Sequence, residues 1–361
     1  MRWLTVLLMM LWPLPSLMAA EGEVNLPPEV TQAVEEPPPL PVTEPLPPLL
    51  FEGRQLTIAY LRGSDEMPLS PAGFQALVRS LNEDVMVRAA MRAAGWEESS
   101  APIVLMGIDW HEDLRRRMAG NEFDMVFAPA LIHALQTGNY DIVGQVRTSD
   151  MLGTVDRDGL QQFPVIFVNR ESPLFDLSEF GPDSLTAEQR AAVGAQVASS
   201  RIAFVSASSA AGYLSPLLAL HQRCDLQDDP PVLWCDTAEE VVMAVINNLV
   251  TIGACDDATF NRVVGECSME VDEEGHLVQS FDPAALIRVI ARPDWVPVAP
   301  VVMRSDLRRT ELGQALVAAL ESFLEAQDPP LDLETPRGGR PERPFERLRA
   351  RVEQFYQERS R

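Results

Sequence analysis

The sequence predicts an α/β protein built as two lobes around a cleft. Two observations carry that reading. Strand-like and helix-like segments alternate along residues 54–326, the signature of α/β sheets. The chain has 361 residues, of which 46% are hydrophobic and 23% charged, so it is too long for one core and apolar enough for two.

The elements follow in order. Residues 1–20, MRWLTVLLMMLWPLPSLMAA, join a positive Arg2 to an apolar run that Pro13 and Pro15 break, with Ala19 and Ala20 at the end. This is the pattern of a cleaved signal peptide, and the run is shorter than the ~20 residues a membrane span needs. Residues 21–53 are a proline-rich linker: repeated proline fixes φ and removes donors, which gives extended chain. Strands are expected at 54–62, 102–108, 124–128 and 140–146, with helices at 82–95, 110–119 and 130–136 between them. The second half repeats the pattern, with strands at 164–169, 201–205, 232–235, 250–255, 286–291 and 298–304. Its helices are expected at 186–198, 213–221, 237–248 and 311–326. Eight arginines then fall between Arg337 and Arg361, in a tail (328–361) read as a linker plus a basic amphipathic helix at 345–358.

Charge and composition exclude several functions. Lys plus Arg is 29 against 53 Asp plus Glu, a formal charge of −24, which is wrong for a nucleic-acid binder. Every basic residue is arginine, so Schiff-base, phosphate-loop and Ser-x-x-Lys chemistry have no amine to use. The four histidines, His111, His133, His221 and His276, are scattered, which gives a metal site no local support. No cofactor is called for. No G-x-S-x-G elbow and no acid–base pair stands out, so an enzyme is not expected.

All four cysteines, Cys224, Cys235, Cys255 and Cys267, lie in one short stretch of a chain expected to be exported. An oxidising compartment favours pairing, and Cys224–Cys235 with Cys255–Cys267 closes the shortest loops. Reduced, buried thiols are the alternative.

The stretch with most chemistry in it is 201–220, RIAFVSASSAAGYLSPLLAL. An apolar strand ends, small hydroxyl residues follow, and a helix starts. Ser206, Ser208 and Ser209 fall where the first unbonded amides of a helix point outward, next to its positive dipole end. That arrangement takes an anion. A plain serine cap is the other reading.

This stretch resembles the strand–serine–helix signature of the phosphonate/phosphate-type periplasmic substrate-binding proteins of ABC transporters. Three further segments resemble that family in the same order: GNEFDMVFAPALIHAL at 120–135, AEEVVMAVINNLVTIGACDDATF at 238–260, and WVPVAPVVMRSDLRRTELGQALVAAL at 295–320. The resemblance implies the type II periplasmic binding fold, an α/β architecture whose two lobes enclose a ligand cleft. Lobe one would be 54–150 plus 300–327, and lobe two 151–299. It implies an exported, periplasmic, non-catalytic protein that captures a small oxyanion for an ABC importer and its permease. A sensory or scaffold protein on the same fold, engaging a membrane sensor protein, is the alternative that the extra segments at both ends suggest.

By the same resemblance Ser208 and Ser209 match the anion-holding hydroxyls. Asp256 matches a cleft aspartate, unless it only caps the turn that follows. Tyr60 and Arg62, closing the first strand, would supply an aromatic wall and a cation to the cleft, unless they are a strand-edge pair. The chain departs from the family pattern at cleft positions. Two alanines separate Ser209 from Gly212, Thr251 replaces an aspartate, and 127–131 lack the family's tyrosine. Residues 66–71 replace a short first loop.

Overall fold

The computed structural model describes residues 55–96, 102–147, 155–156, 159–177, 179–180, 185–224, 226, 228–267, 269–271, 277–279, 285–335 and 341–359. The expected signal peptide and the whole of the proline-rich linker lie outside them. Among the described residues no helix is long and apolar enough to cross a membrane, and no cluster of His, Cys, Asp and Glu is arranged to hold a metal ion.

The chain opens with β1 (Leu56–Leu61), α1 (Pro71–Glu83), α2 (Val85–Ala93), β2 (Ile103–Ile108), α3 (His111–Ala119), β3 (Met125–Phe127), α4 (Ala130–Leu135) and β4 (Tyr140–Arg147). It continues through β5 (Val155–Asp156), β6 (Gly159–Gln162), β7 (Pro164–Asn169), α5 (Ala187–Ser199) and β8 (Ile202–Phe204) to a π-helical turn at Ala210–Leu214 and α6 (Ser215–Cys224). Next come β9 (Val232–Trp234), α7 (Ala238–Ile246), β10 (Ile252–Asp256), α8 (Asp257–Cys267), β11 (Met269–Val271), β12 (Leu277–Gln279) and β13 (Ile287–Ala291). The chain closes with β14 (Val296–Pro297), β15 (Pro300–Arg304), α9 (Ser305–Arg308), α10 (Glu311–Glu325), β16 (Asp332–Glu334) and α11 (Arg343–Arg359).

Two large sheets result, with the same internal logic, beside a two-stranded ribbon β11-β12 and a small sheet β14-β6-β5. Lobe one has the order β16-β4-β15-β3-β1-β2, and lobe two β13-β7-β10-β8-β9. In each, the first strand of a parallel trio lies at its centre: β1 between β2 and β3, β8 between β9 and β10. Each trio then takes an antiparallel neighbour, β15 against β3 and β7 against β10. Those two strands directly follow the crossover segments. The crossovers themselves touch where β6 pairs with β14, Val296 opposite Gln162.

Strand alternation fills both faces of each sheet. Ile58 and Tyr60 of β1 join one core while Ala59 and Leu61 join the other. In β7, Ile166 and Val168 face one cluster, Val165 and Phe167 the opposite one. β7 and β15 are buried at every position, as strands covered on both sides must be.

Four regions differ from expectation. A single helix over 82–95 is expected, but two are found. Ser70 caps α1 through the Gly73 amide with Pro71 in the first turn, and Asp84 leaves the helical region to cap α2 through the amides of Met86 and Val87. The helix α8 was not expected at all. Residues 328–361 are not simply linker and helix: β16 adds an edge strand to β4, with Leu333 opposite Val146. α11 buries Phe345, Leu348, Val352 and Phe355 against the body.

The expected disulfides are the fourth difference: none of the four cysteines is bridged. Cys224 packs in the core on one face of the lobe-two sheet and Cys235 against the core on the other. Cys255 precedes α8 and Cys267 ends it, so an 11-residue helix separates them. That is roughly 16 Å of helix, where a disulfide needs Cα atoms within about 7 Å.

Candidate ligand cleft and its two helix ends

Lobe one contributes the start of α4. Its cap residue, Pro129, has no side-chain acceptor to offer the first-turn amides. Lobe two contributes the π-helical turn after β8. Ser209 caps it, its Oγ accepting from the Gly212 amide at 2.9 Å, and the Leu214 amide reaches back five residues to the Ser209 carbonyl at 3.1 Å. Gly212 is required by close packing: a Cβ there would lie 2.7 Å from Val205 Cγ2 and 2.9 Å from Ser209 Oγ.

One carboxyl group lies across these two ends. Glu66, in the loop between β1 and α1, accepts from the Ala130 amide through Oε2 at 2.7 Å and from the Ala210 amide through Oε1 at 2.7 Å. The first bond is within lobe one and the second crosses to lobe two. Both oxygens take amide donors at the leading turn of a helix, so the pair of turns forms a cradle for a two-oxygen anion.

Asp65 reinforces the bridge. The Ser209 hydroxyl donates to its Oδ2 at 3.1 Å, again from lobe two to lobe one. Burial raises the Asp65 pKa to about 6, opposed by the Ser209 bond and helped by the nearby Asp256 charge. Burial, then the neighbouring Asp65 charge, raise that of Glu66 to about 8, against the pull of the two amide bonds.

Beside the cradle, between the lobes, is a cavity of about 240 Å³. Asp65, Gln161, Asp256, Asp257 and Arg262 are among the residues that line it. Burial and the adjacent Asp256 raise the pKa of Asp257. Arg262 is turned to Glu239 and Glu266 and is the arginine of this wall.

The predicted site residues are distributed as follows. Ser209 is fully buried at the cradle and Ser208, also buried, exchanges a hydrogen bond with Ser206 at 3.0 Å. Asp256 lines the cavity and also caps α8, accepting from the Thr259 amide at 2.8 Å. Tyr60 is buried in the lobe-one core, stacked on Phe74 with centroids 4.2 Å apart. Arg62 is half-exposed and pairs with Asp109 at 3.1 Å. Neither Tyr60 nor Arg62 is among the residues of the cavity wall. Sequence reasoning missed Asp65 and Glu66 as partners of the serine turn, and Ala130 as the second amide on Glu66. The replaced loop at 66–71 was the available signal, but its partners lie 64 and 144 residues away.

Two sheets of this topology, joined by two crossovers around a cleft with helix ends facing it, define a two-lobed periplasmic binding protein. The sequence pattern of the ABC transporter phosphonate periplasmic substrate-binding proteins matches residues 102–331, well over half of the chain, and the chain belongs to that family. In fold it is similar to PhnD1 from Prochlorococcus marinus in complex with methylphosphonate. The TM-score is 0.51 at 10% identity, over 84% of this chain and 98% of that one. It is similar as well to XAC2383 from Xanthomonas citri bound to chloride ion, with a TM-score of 0.51 at 18% identity, over 84% of this chain and 99% of that one. No curated protein matches the chain in sequence.

Proposed function

We propose that the chain is an exported, non-catalytic solute-binding protein that captures a small phosphonate- or phosphate-like oxyanion in the interlobe cleft and delivers it to an ABC permease. The signal peptide at 1–20 would place it in the periplasm, where this family works. One observation carries the ligand class: the amides of Ala130 and Ala210 hold a carboxyl group between them, one from each lobe. An oxyanion that satisfies both amides ties the lobes together, which is how a cleft of this kind registers its solute. Ser209, whose hydroxyl meets Asp65 next to Glu66, and Ser208 one residue before it would add hydroxyl donors, and Asp256 in the cavity wall would accept from a protonated oxyanion or an amine on the same solute.

The test is a thermal-shift panel of methylphosphonate, phosphate, phosphite, sulfate and simple amines, run on the natural chain and on Glu66→Ala. A solute that binds only the folded state raises Tm by mass action. A shift with phosphonate or phosphate in either protein supports the reading. No shift with any oxyanion in either protein contradicts it.

The same carboxyl group favours a second reading, a sensory or scaffold protein on this fold whose closed form engages a membrane signalling partner. A cradle already filled by the chain's own residue is what a solute-independent protein would have.

A further inference from the structure

The chain supplies its own occupant for the cradle. Glu66 is 9% exposed, and its two carboxyl oxygens use the leading amides of α4 and of the π-helical turn. The adjacent Asp65 uses the Ser209 hydroxyl proton. The donors that an external oxyanion would meet at this point are therefore bonded within the chain.

A second element holds the same two helices together from their other parts. α11 reaches lobe one at the C-terminal end of α4, where Arg349 donates to the carbonyls of Ala134 and Gln136 and His133 meets Glu342 at 3.0 Å. It reaches lobe two on α6, where Arg351 donates to Ser215 Oγ at 3.2 Å and the Phe355 ring packs on the His221 ring at 5.1 Å. The apolar face of α11 joins a core that contains Ile132 and Ala134 from lobe one and Leu214 and Leu218 from lobe two. So α4 and the turn leading into α6 are joined at their N-terminal ends by Glu66 and along their lengths by α11.

We infer that Glu66 is an internal ligand and the specificity-determining residue of this cleft: its carboxyl group occupies the oxyanion position, holds the lobes closed without solute, and must be displaced for an external oxyanion to bind. This rests on the oxyanion reading above for the identity of the position, but the clamp itself stands on the two amide bonds. Displacement exposes both cradle amides and leaves the cavity beside them for the rest of the solute. An internal group tethered by a short loop competes at high effective concentration, so it sets a threshold that only a solute with better contacts to both lobes exceeds.

The experiment compares the natural chain with Glu66→Ala. Amide hydrogen exchange is followed at Ala130 and Ala210, the radius of gyration is measured in solution, and methylphosphonate and inorganic phosphate are titrated calorimetrically. The expected result has three parts. Without solute the natural chain protects both amides and is compact. The variant exchanges them faster and has a larger radius of gyration. The variant binds methylphosphonate or phosphate with a Kd about ten- to a hundredfold lower than the natural chain. Fast exchange at both amides in the natural chain until solute is added would overturn the inference. So would a variant that keeps the natural radius and affinity. A variant that opens but binds neither anion keeps Glu66 as the interlobe clamp and overturns the oxyanion reading instead. Should Glu66→Ala not fold, Glu66→Gln, which keeps the volume and loses one acceptor, takes its place. The exchange measurement on the natural chain needs no variant.

Discussion

Glu66 and Ala210 are 144 residues apart in sequence and 2.7 Å apart in space, carboxyl oxygen to amide nitrogen, and their hydrogen bond joins the two lobes. The same carboxyl group bonds Ala130 in its own lobe.

Stability falls with rising pH because of this loop. Asp65 and Glu66 have ordinary values of 3.8 and 4.5 and folded values of about 6 and about 8. The folded chain thus holds more protons than the unfolded one across that window. The contribution is complete below the ordinary values and is lost as pH rises, through about 6 for Asp65 and about 8 for Glu66. Scans of Tm against pH should show the decline, and Glu66→Gln should remove the part between about pH 6 and about pH 8. A Glu66→Gln curve parallel to the natural one would contradict this.

Ser209→Ala should destabilise by about 0.5–2 kcal/mol, because it removes the buried Oγ that caps the Gly212 amide and takes the hydroxyl donor from Asp65. Denaturant unfolding reads this as a lower midpoint. Loss of the donor should also raise the apparent pKa of Asp65, since that bond is the larger of the two hydrogen bonds that lower it.

Gly212→Ala should cost about 1–3 kcal/mol by overpacking, since the new methyl group lands on Val205 and on Ser209 Oγ. Gly265→Ala, at an open position on α8, is the control and should be neutral or slightly stabilising. Equal midpoints for the two variants would contradict the packing argument.

α11 is part of the folded body. Phe345→Ala should cost about 3–5 kcal/mol, because the ring is 3% exposed and packs edge-on to His133 at 4.7 Å. Unfolding at an unchanged midpoint would mean the helix does not pack there.

Mass spectrometry of non-reduced protein should find all four cysteines as thiols, and a reductant should leave Tm unchanged. In the native state Cys224 and Cys255, both buried, should resist alkylation longer than Cys235 and Cys267. A peptide linking Cys224 to Cys235 would contradict the structure.

How much of this was legible in the sequence depends on the range of the interactions involved. β7 and β15, apolar up to their last residues Asn169 and Arg304, were readable because burial on both faces shows in composition alone. The Ser209 cap was readable too, since small hydroxyl residues between a strand and a helix carry a local mechanism. The Ser70–Pro71 start of α1 was equally local and was missed because the acidic, proline-containing run before it reads as loop. The disulfide expectation failed for a tertiary reason: closeness in sequence says nothing about which face of a sheet each cysteine meets. Nothing in the segment around Asp65 and Glu66 announces that two carboxyl groups reach across to the other lobe. Their partners are amides of alanines, and an amide carries no residue signature.

The most direct test of the cradle is a crystal structure of Glu66→Ala grown with methylphosphonate. Phosphonate oxygens are expected within hydrogen-bonding distance of both the Ala130 and the Ala210 amides, beside Ser209. Methylphosphonate bound elsewhere in the cleft, with those two amides bonded to water or to another part of the chain, would contradict it.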